Sequence, residues 1–302
     1  MNEWLLSLMG TPEGARLATL LALTAALAHA VFGALQKGAH DPWLSRGSID
    51  LALVVMSAPV ALFWFGPPPV HMWPVLAGVV VIHFAYKLAM ALAYEKAAFT
   101  VVYPVVRGTG PLITVIAAML FFRESYTMVQ WLGVACLSGG ILLLALRNLS
   151  EERIDPRALK IGLGWAALGG VLVALYTTYD AWAIRISGEP LAFLAWFFFL
   201  SSVDFMILGL LRYRNMAHRP APLPLLLRGI AGGLIAYVSF GAVMIATLIG
   251  KVGEAAVLRE TSTVFAAFIG WFILKERVGP RKLALMCMIA AGAVIMELGR
   301  AS

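Results

Sequence analysis

Ten runs of about 20 mostly apolar residues follow one another along the chain, each long enough to cross the hydrocarbon core of a bilayer as a helix. They lie at about 15–36, 47–66, 73–94, 97–122, 127–146, 160–184, 190–212, 224–248, 252–274 and 280–298. In lipid every backbone polar group must be satisfied internally, so runs of this length specify helices. The expected fold is therefore an all-α integral membrane protein with ten transmembrane helices. Composition agrees: 61% of residues are hydrophobic and 13% charged, against about 25% charged in a soluble domain. Turn signals separate the runs at Asp41-Pro42, Pro67-Pro68-Pro69, Asp155-Pro156, Glu189-Pro190 and Pro220. Too little chain remains for a water-soluble domain.

The first run mimics a signal peptide, since Leu17 to Leu27 is apolar and Ala28-His29-Ala30 has the form of a cleavage site. The flank carries Glu3 and Glu13 without a basic n-region, and the apolar stretch continues through Leu35. We therefore read it as an uncleaved first span. The net charge of +7 does not indicate nucleic acid, because the basic residues fall in short loops between apolar runs, the pattern of membrane orientation. Cys136 and Cys287 lie inside apolar runs and give neither a disulfide framework nor a metal site. His29, His40, His71, His83 and His218 are scattered, so no metal or other cofactor is expected.

The two halves of the chain match weakly at an offset of 152 residues: Arg107 falls on Arg259, Thr109 on Thr261, Arg123-Glu124 on Lys275-Glu276 and Gly140 on Gly292. Residues 1–146 form one five-helix repeat, 147–159 a charged linker, and 160–302 the second repeat. Five spans per half means that the second half enters the membrane inverted. Inverted repeats with the working site between them, at mid-membrane, are a recurrent transporter design. The expected architecture is two inverted five-helix repeats around a central cavity.

Charge inside a span is costly, about 2.5–3.5 kcal/mol for an arginine at the bilayer centre, so such residues face a protein interior or a water-filled cavity. Arg107 is the sole formal charge between Ala97 and Phe122, flanked by Pro104, Gly108, Gly110 and Pro111. These residues weaken regular helix, and a broken or kinked span would free backbone groups for a polar substrate. The competing structural role is a bond from Arg107 to carbonyls released by Pro111. In the third span His83, Lys87, Met90 and Tyr94 share a helical face, with Tyr86 beside it. In the first, His29, Gly33 and Gln36 share one; in the sixth, Tyr176 and Asp180 do. In the ninth, Glu254, Arg259 and Glu260 crowd two turns, where a purely structural ion pair is an equal alternative. His29 and His83 also suit helix–helix hydrogen bonding. Spans two, five and ten read as nearly uncharged, lipid-facing supports. The candidate substrate-binding residues are thus Arg107, Lys87, Tyr103, Arg259, His29, Tyr86 and Tyr94. The candidate coupling or ion-pair residues are His83, Glu254, Glu260 and Asp180.

From residue 17 to 298 the chain resembles the EamA family of the drug/metabolite transporter superfamily. The resemblance is carried by LAHAVFGALQK, HFAYKLAMALAY, VYPVVRGTGPL, FFRES and GGILLLAL in the first half, and by GEAAVLRETSTVFAAFIGWFILKER and IAAGAVIME in the second. It is nearest the branch whose fourth span reads Val-Tyr-Pro followed by Arg-Gly. The resemblance implies ten helices, inverted halves, a central cavity and transport of a small metabolite. Similar proteins usually have cytoplasmic termini and a basic loop between spans two and three. Here that loop, GPPPVHMW, has no Lys or Arg. The basic residues instead follow spans five (Arg147, Arg153, Arg157, Lys160), seven (Arg212, Arg214, Arg219, Arg228) and nine (Lys275, Arg277, Arg281, Lys282). By the positive-inside rule both termini are non-cytoplasmic.

The expected function is a secondary transporter, a permease or exporter, moving a small anionic or zwitterionic metabolite across the cell (inner) membrane by alternating access. The alternative is an integral membrane enzyme acting on a lipid-linked substrate. No HExxH, GxSxG or Walker A sequence is present to support it. Expected partners are the bilayer, the small-molecule substrate and a proton or counter-substrate, with a monomer and a homodimer both open.

Overall fold

The computed structural model describes residues 1–36, 41–97, 99–151, 155–272 and 279–300. The described helices are α1 (Asn2–Ser7), α2 (Pro12–Gln36), α3 (Pro42–Pro59, continued by a π-helical turn Val60–Phe65), α4 (Met72–Lys96), α5 (Phe99–Phe122) and α6 (Met128–Glu151). The second half contributes α7 (Pro156–Ile186), α8 (Pro190–Asn215), α9 (Pro222–Ile249), α10 (Val252–Arg259), α11 (Ser262–Phe272) and α12 (Pro280–Leu298). Among the described residues, eight helices, α2 to α9, are long and apolar enough to cross a membrane. The ninth expected run is divided at Glu260-Thr261 into α10 and α11. The tenth corresponds to α12, whose apolar stretch, Leu283–Leu298, is shorter.

Proline sets most helix starts. Pro12, Pro42, Pro156, Pro190, Pro222 and Pro280 each open a helix, where their missing N–H costs nothing and their fixed φ suits the first turn. Asp41 and Asp155 complete two of these starts: Asp41 Oδ1 accepts from the Trp43 N–H at 2.9 Å, and Asp155 Oδ2 from the Ala158 N–H at 2.9 Å. Within α3, Pro59 deprives the ladder of a donor, the helix widens into the π turn, and it ends at Gly66, whose φ of 72° needs a glycine.

The packing follows the duplication. α2 lies on α9 as α4 lies on α7; α5 lies on α7 as α10 and α11 lie on α2; α3 pairs with α8, and α6 with α12. Helix contacts in lipid rely on small residues that let backbones approach. At the α6–α12 crossing a Cβ on Gly292 would stand 2.5 Å from the Leu137 nitrogen, and one on Gly133 would stand 2.6 Å from the Met296 nitrogen. Gly292→Val should therefore force the two helices apart and destabilise the protein by about 1–3 kcal/mol, the range for overpacking. Thermal melting of the purified variant in detergent checks this; an unchanged melting temperature would show that the crossing can relax.

Two expectations about the spans are corrected. The second span is not an uncharged support: Asp50 is 0% exposed within α3, which packs against α8 and α9. The apolar run suggests a start at 47, but the helix begins at Pro42, which carries Asp50 about 12 Å inward along the axis. The fourth span is not broken around Arg107, because α5 runs continuously through Pro104 and Pro111. Its glycines serve close packing instead: a Cβ on Gly108 would stand 2.8 Å from Leu142 Cγ, and one on Gly110 would stand 3.0 Å from Val173 Cγ1. The break lies in the other half, between α10 and α11.

A candidate anion site between the halves

Arg107 projects from the middle of α5 and is 3% exposed. Its Nη1 donates to Glu260 Oε1 at 2.9 Å, and its Nη2 contacts His29 Nε2. A guanidinium is donor only, so that imidazole nitrogen accepts. Tyr103, one turn earlier on α5, places its ring 5.2 Å from the Arg107 guanidinium and stacks on His29 at 6.2 Å. Glu260 is also approached by Arg259, both Nε and Nη2 lying 3.5 Å from Oε1. One fully buried carboxylate thus stands between two buried guanidiniums, one held closely and one loosely. Counting Arg107, Arg259 and Glu260, the cluster carries an excess positive charge. Arg259 Nε and Glu260 Oε2 are buried without a hydrogen-bond partner among the described residues.

The chain break supports this arrangement. Glu260 N–H donates to Val257 O, Thr261 N–H to Leu258 O, Thr263 N–H to Glu260 O and Val264 N–H to Thr261 O, all at 2.9–3.1 Å. These are tight turns that satisfy the backbone locally. The side chains therefore present the polar groups, whereas the sequence points to freed backbone.

Arg259 also lies 6.0 Å from the Tyr176 ring, which connects the cluster to a second pair. His83 Nε2 bonds Asp180 Oδ2 at 2.8 Å, and the His83 ring packs 4.8 Å from Tyr176. Tyr86 meets the edge of Tyr176 at 5.1 Å. Tyr94 packs on the same apolar cluster as Tyr86 and Tyr176. Between α7, α9 and α10, Arg259 and Asp180 line one cavity together with Thr177, Thr247, Phe240 and Met244. Its volume is about 10 Å³, close to the least that holds one water. Asp180 Oδ1 and Thr177 Oγ1 are buried and unpartnered beside it.

Two of the expected site residues lie elsewhere. Lys87 does not face Arg107: its Nζ donates to Asp50 Oδ2 at 2.9 Å and to the Ser201 carbonyl at 2.5 Å, and it contacts Asp204 Oδ1. The acids that capture it come from α3 and α8. In the sequence Asp50 is hidden by the misplaced start of α3, and Asp204 by the aromatic run FFFLSSVDF around it. Glu254 does not crowd Arg259. It accepts from Gln130 Nε2 at 2.8 Å, and Arg300 Nε stands 3.2 Å from Oε2. Locally the sequence offers only Lys251, whose Nζ lies 3.6 Å from Glu254 Oε1 one turn earlier, since Gln130 and Arg300 lie 124 residues upstream and 46 downstream of Glu254. Glu124 has a role beyond an interfacial anchor: it accepts from the Val252 and Gly253 N–H groups at 2.7 and 3.2 Å and caps α10 from another helix pair. Beside it, burial and the Glu124 charge push the Tyr126 phenol well above its ordinary pKa. Gly33 and Gln36, on the expected His29 face, have side chains outside the described residues, as do Lys275, Glu276 and Arg277.

Arg107 of the first half and Arg259 of the second thus meet at Glu260, and comparison with known proteins decides the class. The EamA-like transporter family matches residues 16–146 and again 160–298. The chain belongs to the EamA-like transporter family. It is a multi-pass membrane protein of a family of transporters. It is similar to the uncharacterized protein y4nH of Sinorhizobium fredii (strain NBRC 101917 / NGR234), 35% identical over 72 residues. That stretch is 24% of this chain and spans 62% of the relative's length. A solved structure described as "Crystal structure of protein" superposes with a TM-score of 0.77 at 18% identity, over 96% of this chain and 99% of the other. That likeness shows a shared fold.

Proposed function

We propose that this EamA-like transporter is a secondary transporter of a small anionic or zwitterionic organic solute. It works by alternating access between two inverted five-helix repeats, 1–146 and 160–302, with ten spans in all. The observation that carries the reading is that Arg107, in the fourth span of the first repeat, and Arg259, in the fourth of the second, share the single carboxylate of Glu260. A planar guanidinium matches a carboxylate or phosphate-like group with two parallel donors, and Arg259 holds Glu260 only loosely. A solute anion can take the place that Glu260 fills incompletely, with His29 and Tyr103 orienting Arg107. A cationic group on the same solute would face Asp180 across the cavity, paired there with His83. Tyr86, Tyr94 and Tyr176 form an aromatic wall beside it.

The cavity of about 10 Å³ is far below the ~300 Å³ of a small-molecule site. Loading a solute beside Arg259 and Asp180 therefore requires the helices that line this cavity, α7, α9 and α10, to move apart. The sequence has no ATP-binding loop, so a solute or ion gradient, or exchange, drives net movement. His83, paired with Asp180, and Glu260, between the arginines, are the candidate coupling residues of the cycle. The Val-Tyr-Pro and Arg-Gly pattern at 102–104 and 107–108 supports placement in the branch sharing that fourth span.

The deciding experiment is a thermal-shift screen of the purified protein against a metabolite panel. A binder stabilises by RT ln(1 + [L]/Kd), about 2.7 kcal/mol at one hundred times Kd. Hits confined to cations or neutral sugars would reject the anion site. Orientation gives a further prediction. Arg147, Arg157, Lys160, Arg212, Arg214, Arg219, Arg228 and Arg281 lie near helix ends on one side, opposite both termini. That side is cytoplasmic by the positive-inside rule. A C-terminal fusion to a reporter that matures only in cytoplasm should stay dark, and bright fluorescence would reverse the assignment.

A further inference from the structure

We infer that the turn joining α9 to α10 is the gate to the central site on the membrane face that carries both termini, and that Glu124, reaching it from the α5–α6 connection, is the latch that holds it shut. This rests on the solute site proposed above, to which the gate gives access, but the latch itself uses none of the residues of that site.

The first observation is which helices the gate divides. α5 and α7 interlock: a Cβ on Gly110 would stand 3.0 Å from Val173 Cγ1, and one on Gly170 would collide with Thr109 Oγ1. α2 and α9 interlock likewise: a Cβ on Gly250 would stand 2.6 Å from Ala18 Cβ, and Ser239 Oγ donates to the Ala25 carbonyl at 2.9 Å. Backbones this close hold helices together in lipid, so each pair moves as a unit. α10 leaves the end of α9 at Gly250-Lys251. The seam between the two pairs holds the central groups, since Arg107 on α5 meets Glu260, just past α10, and His29 on α2. The cavity beside Arg259 lies along the same seam, lined by Thr177 and Asp180 of α7 and by Val243 and Thr247 of α9.

The second observation is what closes this seam at the membrane face. Arg300, near the C-terminus, donates to the Ala15 carbonyl at 3.0 Å and lies 3.2 Å from Glu254, which places the start of α10 on the face of both termini. Two side chains from the α5–α7 side grip the turn. Arg185 of α7 donates to the Thr247 carbonyl at 3.1 and 2.7 Å and to the Gly250 carbonyl at 2.9 Å. Glu124 accepts from the Val252 and Gly253 N–H groups at 2.7 and 3.2 Å. Tyr126 Oη donates to the same carboxylate, and Lys251 Nζ donates back to the Ser125 carbonyl at 2.9 Å. Gly253 admits this clasp, because a Cβ there would collide with Tyr126 Oη. The chain enters the clasp through Arg123, whose φ of 55° is the one positive value at a non-glycine among the described residues. Backbone strain of this kind persists where the surroundings over-determine it, and it clusters at switch regions.

The clasp differs in kind from the contacts that bind each helix pair. Glu124 and Tyr126 are half-buried, and the Lys251 side chain is 39% exposed, so water at the membrane face can take over their hydrogen bonds. A glycine crossing in the dry interior has no such substitute. When Glu124 lets go, water satisfies the first N–H groups of α10, and the turn swings away from α5 and α7. α10 is eight residues long, about 12 Å, and ends at Arg259. It therefore carries a displacement of its start to the Arg259–Glu260 pair as a short rod. The seam thus has two ties, an inner one from Arg107 to Glu260 that the solute replaces and an outer one at Glu124 that admits the solute.

Cysteine accessibility in the full-length protein in lipid nanodiscs tests this, with Cys136 and Cys287 replaced by serine and a membrane-impermeant methanethiosulfonate as the probe. The reporter is Val243→Cys, in the cavity wall and 4% exposed, and the control is Ser138→Cys on α6, 3% exposed. Glu124→Ala should speed labelling of the reporter about tenfold, the weight of one charge-assisted hydrogen bond on an opening equilibrium, and leave the control unchanged. Glu124→Gln, which keeps the shape and one acceptor oxygen, should speed it less, and it carries the test if the alanine variant does not fold. Spin labels at Leu20→Cys on α2 and Ile186→Cys on α7, both exposed positions, should show a longer-distance population that grows in the same order. Reporter labelling unmoved by either variant would overturn the gate. Equal acceleration of reporter and control would mean that the whole fold has loosened, and would overturn the latch. Faster reporter labelling with an unchanged interlabel distance would overturn the choice of seam. Each of these failures leaves the thermal-shift test of the anion site standing, and a screen without anionic hits leaves the gate standing, so the two proposals fail separately.

Discussion

Glu260→Gln will be the most damaging single substitution in the centre of the protein, at about 3–5 kcal/mol, the range for breaking a buried charge pair by removing one partner. Glutamine keeps the shape of the side chain and one acceptor oxygen, so packing barely changes. What disappears is the negative charge between Arg107, at 2.9 Å, and Arg259, at 3.5 Å, two guanidiniums that are each 3% exposed. Both would remain cationic, since arginine does not deprotonate in proteins. Arg259→Ala is different. It leaves Glu260 with Arg107, its closer partner, so no carboxylate is stranded and the loss should be much smaller. Combining Glu260→Gln with Arg259→Gln should recover part of the stability, because only one cation is then uncompensated. Melting of the two single variants and the double variant forms a cycle, and coupling of about 0.5–3 kcal/mol is expected for groups in contact. Strict additivity would show that Arg259 does not depend on Glu260.

The parts of this centre that are legible in the sequence share a physical cause. An arginine in the middle of an otherwise uncharged run is too costly in lipid to be idle, and Arg107 stands out on that ground alone. Arg259 follows from the 152-residue offset, and His29 and Tyr176 from helical spacing. The failures also have causes. Pro104, Gly108, Gly110 and Pro111 mark α5 as the breaking point by local rules, yet α5 is continuous and its glycines admit Leu142 and Val173. The break forms instead at Glu260-Thr261, where the Thr261 hydroxyl donates to the Leu258 carbonyl at 2.7 Å and so competes with the helix backbone. Lys87 illustrates a deeper limit. Its helical face is plain from the spacing, but a face says nothing about which helix lies opposite. The partners Asp50 and Asp204 stand 37 residues before it and 117 after it, and only the tertiary fold brings them to it.

Arg107→Lys should cost nearly as much solute affinity as Arg107→Ala. Charge-assisted hydrogen bonds contribute about 1.5–3 kcal/mol each, so losing one corresponds to a roughly 10- to 100-fold rise in Kd. Lysine preserves the positive charge but offers a point donor in place of a planar fork. The Arg107 fork already divides its donors between two partners, Nη1 engaging Glu260 on α10–α11 and Nη2 engaging His29 on α2. Those two elements belong to opposite repeats, so Arg107 fixes the approach of the halves as well as offering charge. A lysine can satisfy one of them and not both, and His29 then loses its donor. If attraction alone held the solute, the lysine variant would bind close to wild type and the alanine variant would not. If instead Arg107 serves only to brace α2 against α10, both variants would melt earlier while a folded fraction kept wild-type affinity. Isothermal titration of the solute found by thermal shift, run on each variant beside its melting curve, separates the three cases. The bidentate reading requires that affinity fall in both variants, with the melting temperature of Arg107→Lys falling less than that of Arg107→Ala, because one lysine bond to Glu260 still spares that carboxylate from being left with Arg259 alone.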